Sequence, residues 1–90
     1  MLVKEFCINN EHGLHARPAS LFCDLASKFK SDIKVFRENN SDYEADGKSV
    51  ISVLMLEVYP GVKITIQIDG SDEEEAMQAL TDLIDRNFDE

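Results

Sequence analysis

Residues Val62 to Asp69 alternate without a break: Val62, Ile64, Ile66 and Ile68 are apolar, while Lys63, Thr65, Gln67 and Asp69 are polar. Successive side chains of a strand point to opposite faces, so this octet has one dry face and one wet face. A strand of that kind belongs in an antiparallel sheet covered on one side only. Leu2 to Ile8 shares the habit, with Leu2, Phe6 and Ile8 on one parity, and Asp32 to Arg37 places Ile33 and Val35 inward. Helices must therefore cover a single sheet face.

The sequence supplies them. Asn9 to Gly13 is a polar loop, and Ala19, Phe22, Cys23, Ala26 and Phe29 then follow helical spacing, which predicts a helix from Ala16 to about Lys28. The polar stretch Glu38-Asn39-Asn40-Ser41-Asp42 reads as a hairpin loop before a short strand at Tyr43 to Ala45. Asp46-Gly47-Lys48-Ser49 ends that strand, and Ser49 is the expected N-cap of a short helix through about Leu56. Pro60-Gly61 turns the chain into the alternating octet, and Gly70-Ser71 closes it. Ser71 with Glu74 matches a capping box, and Glu73, Glu74 and Glu75 favour the first turn of a last helix. That helix is expected to bury Ala76, Leu80, Leu83 and Ile84, followed by Phe88. The order βαββαβα predicts an α+β fold, a two-layer open-faced sandwich in which three helices cover one face of a four-stranded antiparallel sheet. Residues 1–90 form one domain, with no repeat, linker or low-complexity tract.

Charge narrows the partners. A net charge of −9 argues against nucleic acid, because phosphate contacts need clustered Lys and Arg. Much of the acidity lies in Asp72-Glu73-Glu74-Glu75 and in Asp85, Asp89 and Glu90, and reads as a solvated face. No window is apolar enough for a membrane span, and the first residues lack the blocks of a signal peptide, so a cytoplasmic location is expected. Cys7 and Cys23 are then expected as free thiols, with a disulfide between them as the alternative.

The chemistry points to Gly13-Leu14-His15-Ala16-Arg17-Pro18-Ala19. A flexible glycine and a helix start place His15 at the mouth of a helix, where open backbone N–H groups and the positive dipole end attract anions. Arg17 adds a fixed cation, and a neutral imidazole is a competent nucleophile near pH 7. Phosphoryl transfer needs little beyond positioning and charge compensation, and these groups supply both. His12 lies three residues before His15, so a two-histidine metal site is a candidate, but no third ligand has suitable spacing and no metal is expected. Ser49 is explained by its cap, although a phosphate there would be favoured by the helix dipole. Val50, Ile51, Val53, Leu54, Met55 and Leu56 are apolar nearly all round, so two or three of them should be exposed and mark a partner surface. There is no glycine-rich nucleotide loop, no carboxylate pair and no serine–histidine–acid arrangement. A histidine with an anion site but no nucleotide site suits a carrier of a phosphoryl group made elsewhere.

The heptad resembles the active-site motif of the HPr family, the histidine-containing phosphocarriers of the phosphoenolpyruvate-dependent phosphotransferase system. Lys48-Ser49-Val50-Ile51-Ser52-Val53-Leu54-Met55-Leu56 is similar to that family's second segment, and the resemblance covers the whole chain. It implies that His15 accepts a phosphoryl group on Nδ1 from phosphorylated enzyme I and passes it to an enzyme IIA, with Arg17 stabilising the phosphohistidine. It implies a docking surface on the first and second helices that includes Ser20, Val50, Ile51 and Leu54. It also implies Ser49 as the position modified by HPr kinase in some members. No cofactor follows from it, and the carrier is expected to work as a monomer rather than as an enzyme. Asp24 and Ser27 stand where sugar-type members often carry lysines. The Ser49 to Leu56 segment, the Glu73-Glu74-Glu75-Ala76 run and the Phe88-Asp89-Glu90 ending look closer to the nitrogen-related paralogue NPr. Two other classes are distinguishable by experiment: a regulatory module that binds partners through the same surface without phosphotransfer, and a small hydrolase or metal protein, which lacks a second catalytic group.

Overall fold

The computed structural model describes residues 1–89, and at Asn40 and Ser41 the backbone alone. Glu90, the end of the acidic tail, lies outside the described residues. In chain order the elements are β1 (Leu2–Ile8), α1 (Ala16–Ala26), β2 (Asp32–Arg37), β3 (Asn40–Asp46), α2 (Val50–Leu54), β4 (Val62–Asp69) and α3 (Glu73–Asp85). The strands form a four-stranded sheet in the order β1-β4-β2-β3, antiparallel throughout. The alternating octet thus occupies an interior position, pairing Ile68 with Leu2 on one side and with Ile33 on the other.

The expected sandwich is present. Ile64, Ile66 and Ile68 are buried together with Phe6, Ile8, Ile33 and Val35 on one sheet face. Ala19, Phe22, Cys23 and Ala26 of α1, Val53 of α2, and Ala76, Leu80 and Leu83 of α3 close over them. Val3, Glu5, Cys7 and Lys63 are left on the open face. Cys7 and Cys23 are both free thiols, the first exposed and the second buried. No helix among the described residues is long and apolar enough to cross a membrane.

Several boundaries differ from expectation, each for a local reason. The loop expected over residues 38–42 is a two-residue turn, Glu38-Asn39, and β3 begins at Asn40 rather than Tyr43. Asn39 takes φ +65°, a left-handed conformation that asparagine tolerates, so the chain reverses at once and Arg37 pairs with Asn40. α1 ends at Ala26, not Lys28, because Lys28 and Phe29 donate to Leu25 and Ala26, tightening the last turn to three-residue bonds. α2 likewise ends at Leu54, with Leu56 and Glu57 bonded to Val53 and Leu54.

The capping box at Ser71 is replaced by a different start. The N-cap of α3 is Asp72, one residue later, and its carboxylate turns away from the helix to accept from the Lys30 N–H at 2.8 Å and the Ser31 N–H at 2.9 Å. Glu73 reaches back instead, accepting from the Gly70 N–H at 3.2 Å. Beyond α3, Asn87, Phe88 and Asp89 all take left-handed backbone (φ +52°, +57° and +61°), and this reverse-handed turn buries Phe88. Phe88 is therefore in the core as expected, but delivered by a turn rather than by the helix.

Candidate functional site

Asn10 starts the site. Its side-chain Nδ2 donates to the Gly13 carbonyl at 2.7 Å, and its own carbonyl accepts the Gly13 N–H at 3.1 Å, which folds residues 10–13 into a tied loop. Gly13 has φ +67°, and a Cβ there would collide with the Val58 carbonyl oxygen and the Tyr59 backbone. The next residue, Leu14, buries its side chain and donates its N–H to that same Val58 carbonyl at 3.0 Å. The loop ahead of α1 is thereby fastened to the segment after α2.

His15 is displayed from this anchored loop. It is the N-cap of α1, half-buried, with extended backbone (φ −82°, ψ −169°) and no side-chain cap bond. Its carbonyl accepts from the Ala19 N–H at 3.0 Å. Pro18 is the third helical residue, where a backbone N–H has no intrahelical acceptor and its absence costs nothing. The amides of Ala16 and Arg17 precede the first intrahelical bond and open at the mouth of the helix. Arg17 is exposed on the first turn. The ring of His12 meets that of His15 edge to face, with centroids 5.2 Å apart and planes at 88°.

Ser49 is the N-cap of α2, as expected, and its hydroxyl accepts from the Ser52 N–H at 3.3 Å. Ser52 is held in turn, its hydroxyl accepting from the Asp46 N–H at 2.8 Å and its carbonyl from the Tyr43 hydroxyl at 2.9 Å. The apolar surplus of α2 divides cleanly. Val53 and Leu56 are buried, Val50 and Leu54 are half-buried against the core, and Ile51 and Met55 stand out at 73% and 64% exposed. Tyr59, 58% exposed, continues the four-residue spacing of Ile51 and Met55 to the strand of chain that abuts Gly13. Ser20 lies half-buried on α1, which packs beside α2. The histidine loop is thus packed on the segment that follows α2, the helix that leaves Ile51 exposed. Ile51 and Met55 are the two of the six apolar residues left exposed, within the number expected. Asn10 and Tyr59 are not singled out by the sequence. The four-residue spacing from Ile51 and Met55 was the available signal for Tyr59, and nothing short of the fold distinguishes Asn10 from its polar neighbours.

Elsewhere, burial first and the nearby Asp24 and Asp46 carboxylates second push the Cys23 thiol up to about 11. Among the described residues no group of three ligating side chains could hold a metal ion.

The family model described as the PTS HPr component phosphorylation site matches residues 2–86. The phosphocarrier protein HPr of Neisseria meningitidis is 43% identical over 90 residues, covering 100% of this chain and 98% of its own. The chain belongs to the HPr family. Its fold agrees: a crystal structure of HPr from Thermoanaerobacter tengcongensis superposes with a TM-score of 0.92 at 42% identity, covering 100% of this chain and 98% of that one. A crystal structure of an HPr dimer from the same organism superposes with a TM-score of 0.75 at 43% identity over 92% of each chain. HPr proteins are phosphocarrier components of the phosphotransferase system, so the chain is a carrier rather than a catalyst of that system.

Proposed function

We propose that His15 accepts a phosphoryl group from phosphorylated enzyme I and hands it to an enzyme IIA. The lone pair of neutral His15 at Nδ1 attacks phosphorus as the bond from phosphorus to the donor breaks. The three phosphoryl oxygens are retained, and the ring proton stays on Nε2. Arg17 and the open amides of Ala16 and Arg17 offset the charge on those oxygens. The reverse displacement delivers the group to the acceptor, so one bond is exchanged for another and neither nucleotide nor metal is required. Ser20, Val50, Ile51 and Leu54, extended by Met55 and Tyr59, receive both partners in turn, one chain at a time. Ser49 serves as a helix cap.

The observation that carries this reading is the placement of His15 at the N-cap of α1, beside Arg17 and on a loop tied to the segment that follows α2. The test is incubation with phosphoenolpyruvate and enzyme I of the sugar and nitrogen-related kinds in parallel. One acid-labile phosphate per chain is expected, absent in His15→Ala, and the faster donor identifies the branch. Acid-labile labelling of His15→Ala at the wild-type rate would remove His15 from this role. Partner binding without labelling of the wild type would favour the regulatory-module reading instead.

A further inference from the structure

His12 fills no core position and caps no helix: its side chain is 65% exposed, and Glu11 Oε1 lies 3.9 Å from its Nε2. Its one distinguishing contact is the edge-to-face approach to His15, 5.2 Å between ring centroids. The loop that carries both rings is tied at Asn10, Gly13 and Leu14, which fixes the backbone from which the two side chains project. A neutral His12 ring walls one side of the acceptor imidazole. A protonated one places a positive charge within reach of whatever His15 carries. The chain has only two histidines, and among the described residues no group of three ligating side chains could hold a metal, so the pair suits an anion better.

We propose that the His12 imidazolium is a second cation of the phosphoryl site, contacting the phosphoryl group carried by His15, so that proton uptake at His12 and phosphoryl retention at His15 favour each other. This rests on the reading of His15 as the acceptor. Among the described residues, the charged and titratable groups near this loop are Glu11, within 3.9 Å of the His12 ring, Arg17 on the first turn of α1, and Glu57 and Tyr59, which flank in sequence the Val58 carbonyl on which the loop packs. Their covalent state does not change during transfer. Phosphorylation changes His15 alone: the phosphoryl group brings about two negative charges to a ring that keeps its Nε2 proton, a net gain of about one negative charge. At 5 to 6 Å, even with solvent-like screening, a charge of that size raises a neighbouring imidazole's titration midpoint by about half a unit. Linkage makes the effect reciprocal, so protonation of His12 favours the phosphorylated carrier by about threefold.

The experiment is an NMR titration of the His12 ring in the free protein and in protein phosphorylated by phosphoenolpyruvate and enzyme I. The His12 midpoint is expected to rise by about half a unit on phosphorylation. The equilibrium between phosphorylated enzyme I and phosphorylated carrier, read over about pH 5.5 to 8, should lie further toward the carrier in wild type than in His12→Asn at the acid end, the need for a neutral His15 acceptor being common to both proteins. His12→Asn should flatten that component, and His12→Lys should hold the acid-side value across the range. A midpoint that stays put, or an unchanged pH profile in His12→Asn, overturns the proposal. Failure of enzyme I to phosphorylate His15 at all would instead overturn the acceptor reading beneath it.

Discussion

Gly13 shows how one residue fixes the geometry of the site. Its φ of +67° is unfavourable for any side chain, and the Val58 carbonyl occupies the space that a Cβ would need. Gly13→Ala must therefore either strain the backbone or pull the loop away from residue 58, which also breaks the Leu14 bond to Val58. A loss of about 1–3 kcal/mol in urea unfolding is expected, with slower acquisition of phosphate by His15. Unchanged stability and unchanged transfer would show that the loop is not held as described. The two cysteines form a contrast at the same scale. Cys7 is exposed on the open sheet face, whereas Cys23 is buried with its thiol pushed up to about 11. At pH 8 the thiolate is the reactive form, so a maleimide should modify Cys7 in the native protein and reach Cys23 only on unfolding. Equal reaction rates for the two thiols without denaturant would contradict the packing of α1.

Among the elements, α3 depends most on a distant partner. Asp72 accepts from the Ser31 hydroxyl and from the Lys30 and Ser31 amides, and those bonds, the hydroxyl foremost, hold its carboxyl below its ordinary value of 3.8. The folded protein therefore binds fewer protons there than the unfolded chain. Its contribution to stability is full above 3.8 and is lost as pH falls through the lowered folded value. Asp72→Asn should be less stable than wild type at neutral pH and should lose less on acidification, as read from urea midpoints at a series of pH values. Parallel acid limbs in the two proteins would refute the assignment. The same contact explains what a sequence can and cannot show. The strands were legible because alternation is local, as in Val62 to Asp69, and the stripe Ala19, Phe22, Cys23, Ala26 was legible for the same reason. Ser71 looked like the cap because Ser and Glu at three-residue spacing usually are one. Asp72 displaced it through a partner 41 residues away, which no local pattern encodes. Asn39 and the left-handed turn at Phe88 escaped for a related reason, since a positive φ in a non-glycine residue is set by what the next segment must reach. His15 and Arg17 were readable from their heptad. The proximity of His12, by contrast, needed the folded loop.

At the scale of the whole molecule, the core and the exposed apolar side chains separate across the helical layer. The inner side holds the core, from Phe22 and Val53 to Leu80 and Phe88. Ile51, Met55 and Tyr59 are left in solvent, the last with its backbone against Gly13 of the histidine loop. Such exposed apolar side chains add little to folding, because each keeps more than half of its surface in water in the native state. The double substitution Ile51→Asp with Met55→Asp should therefore change unfolding free energy by no more than about 1 kcal/mol, two surface changes of about 0.5 each. Its effect on transfer should be much larger. If the row receives enzyme I, two buried contacts of hot-spot size are lost and a like-charged surface is made more acidic, so KM for the carrier should rise about tenfold or more. The chemistry at His15 is untouched, so kcat at saturating carrier should stay near the wild-type value. A fall in kcat with KM unchanged would place these side chains in the reaction rather than in docking. No change in either would move the docking surface elsewhere on the molecule, with the Ser20 face of α1 next to be tested.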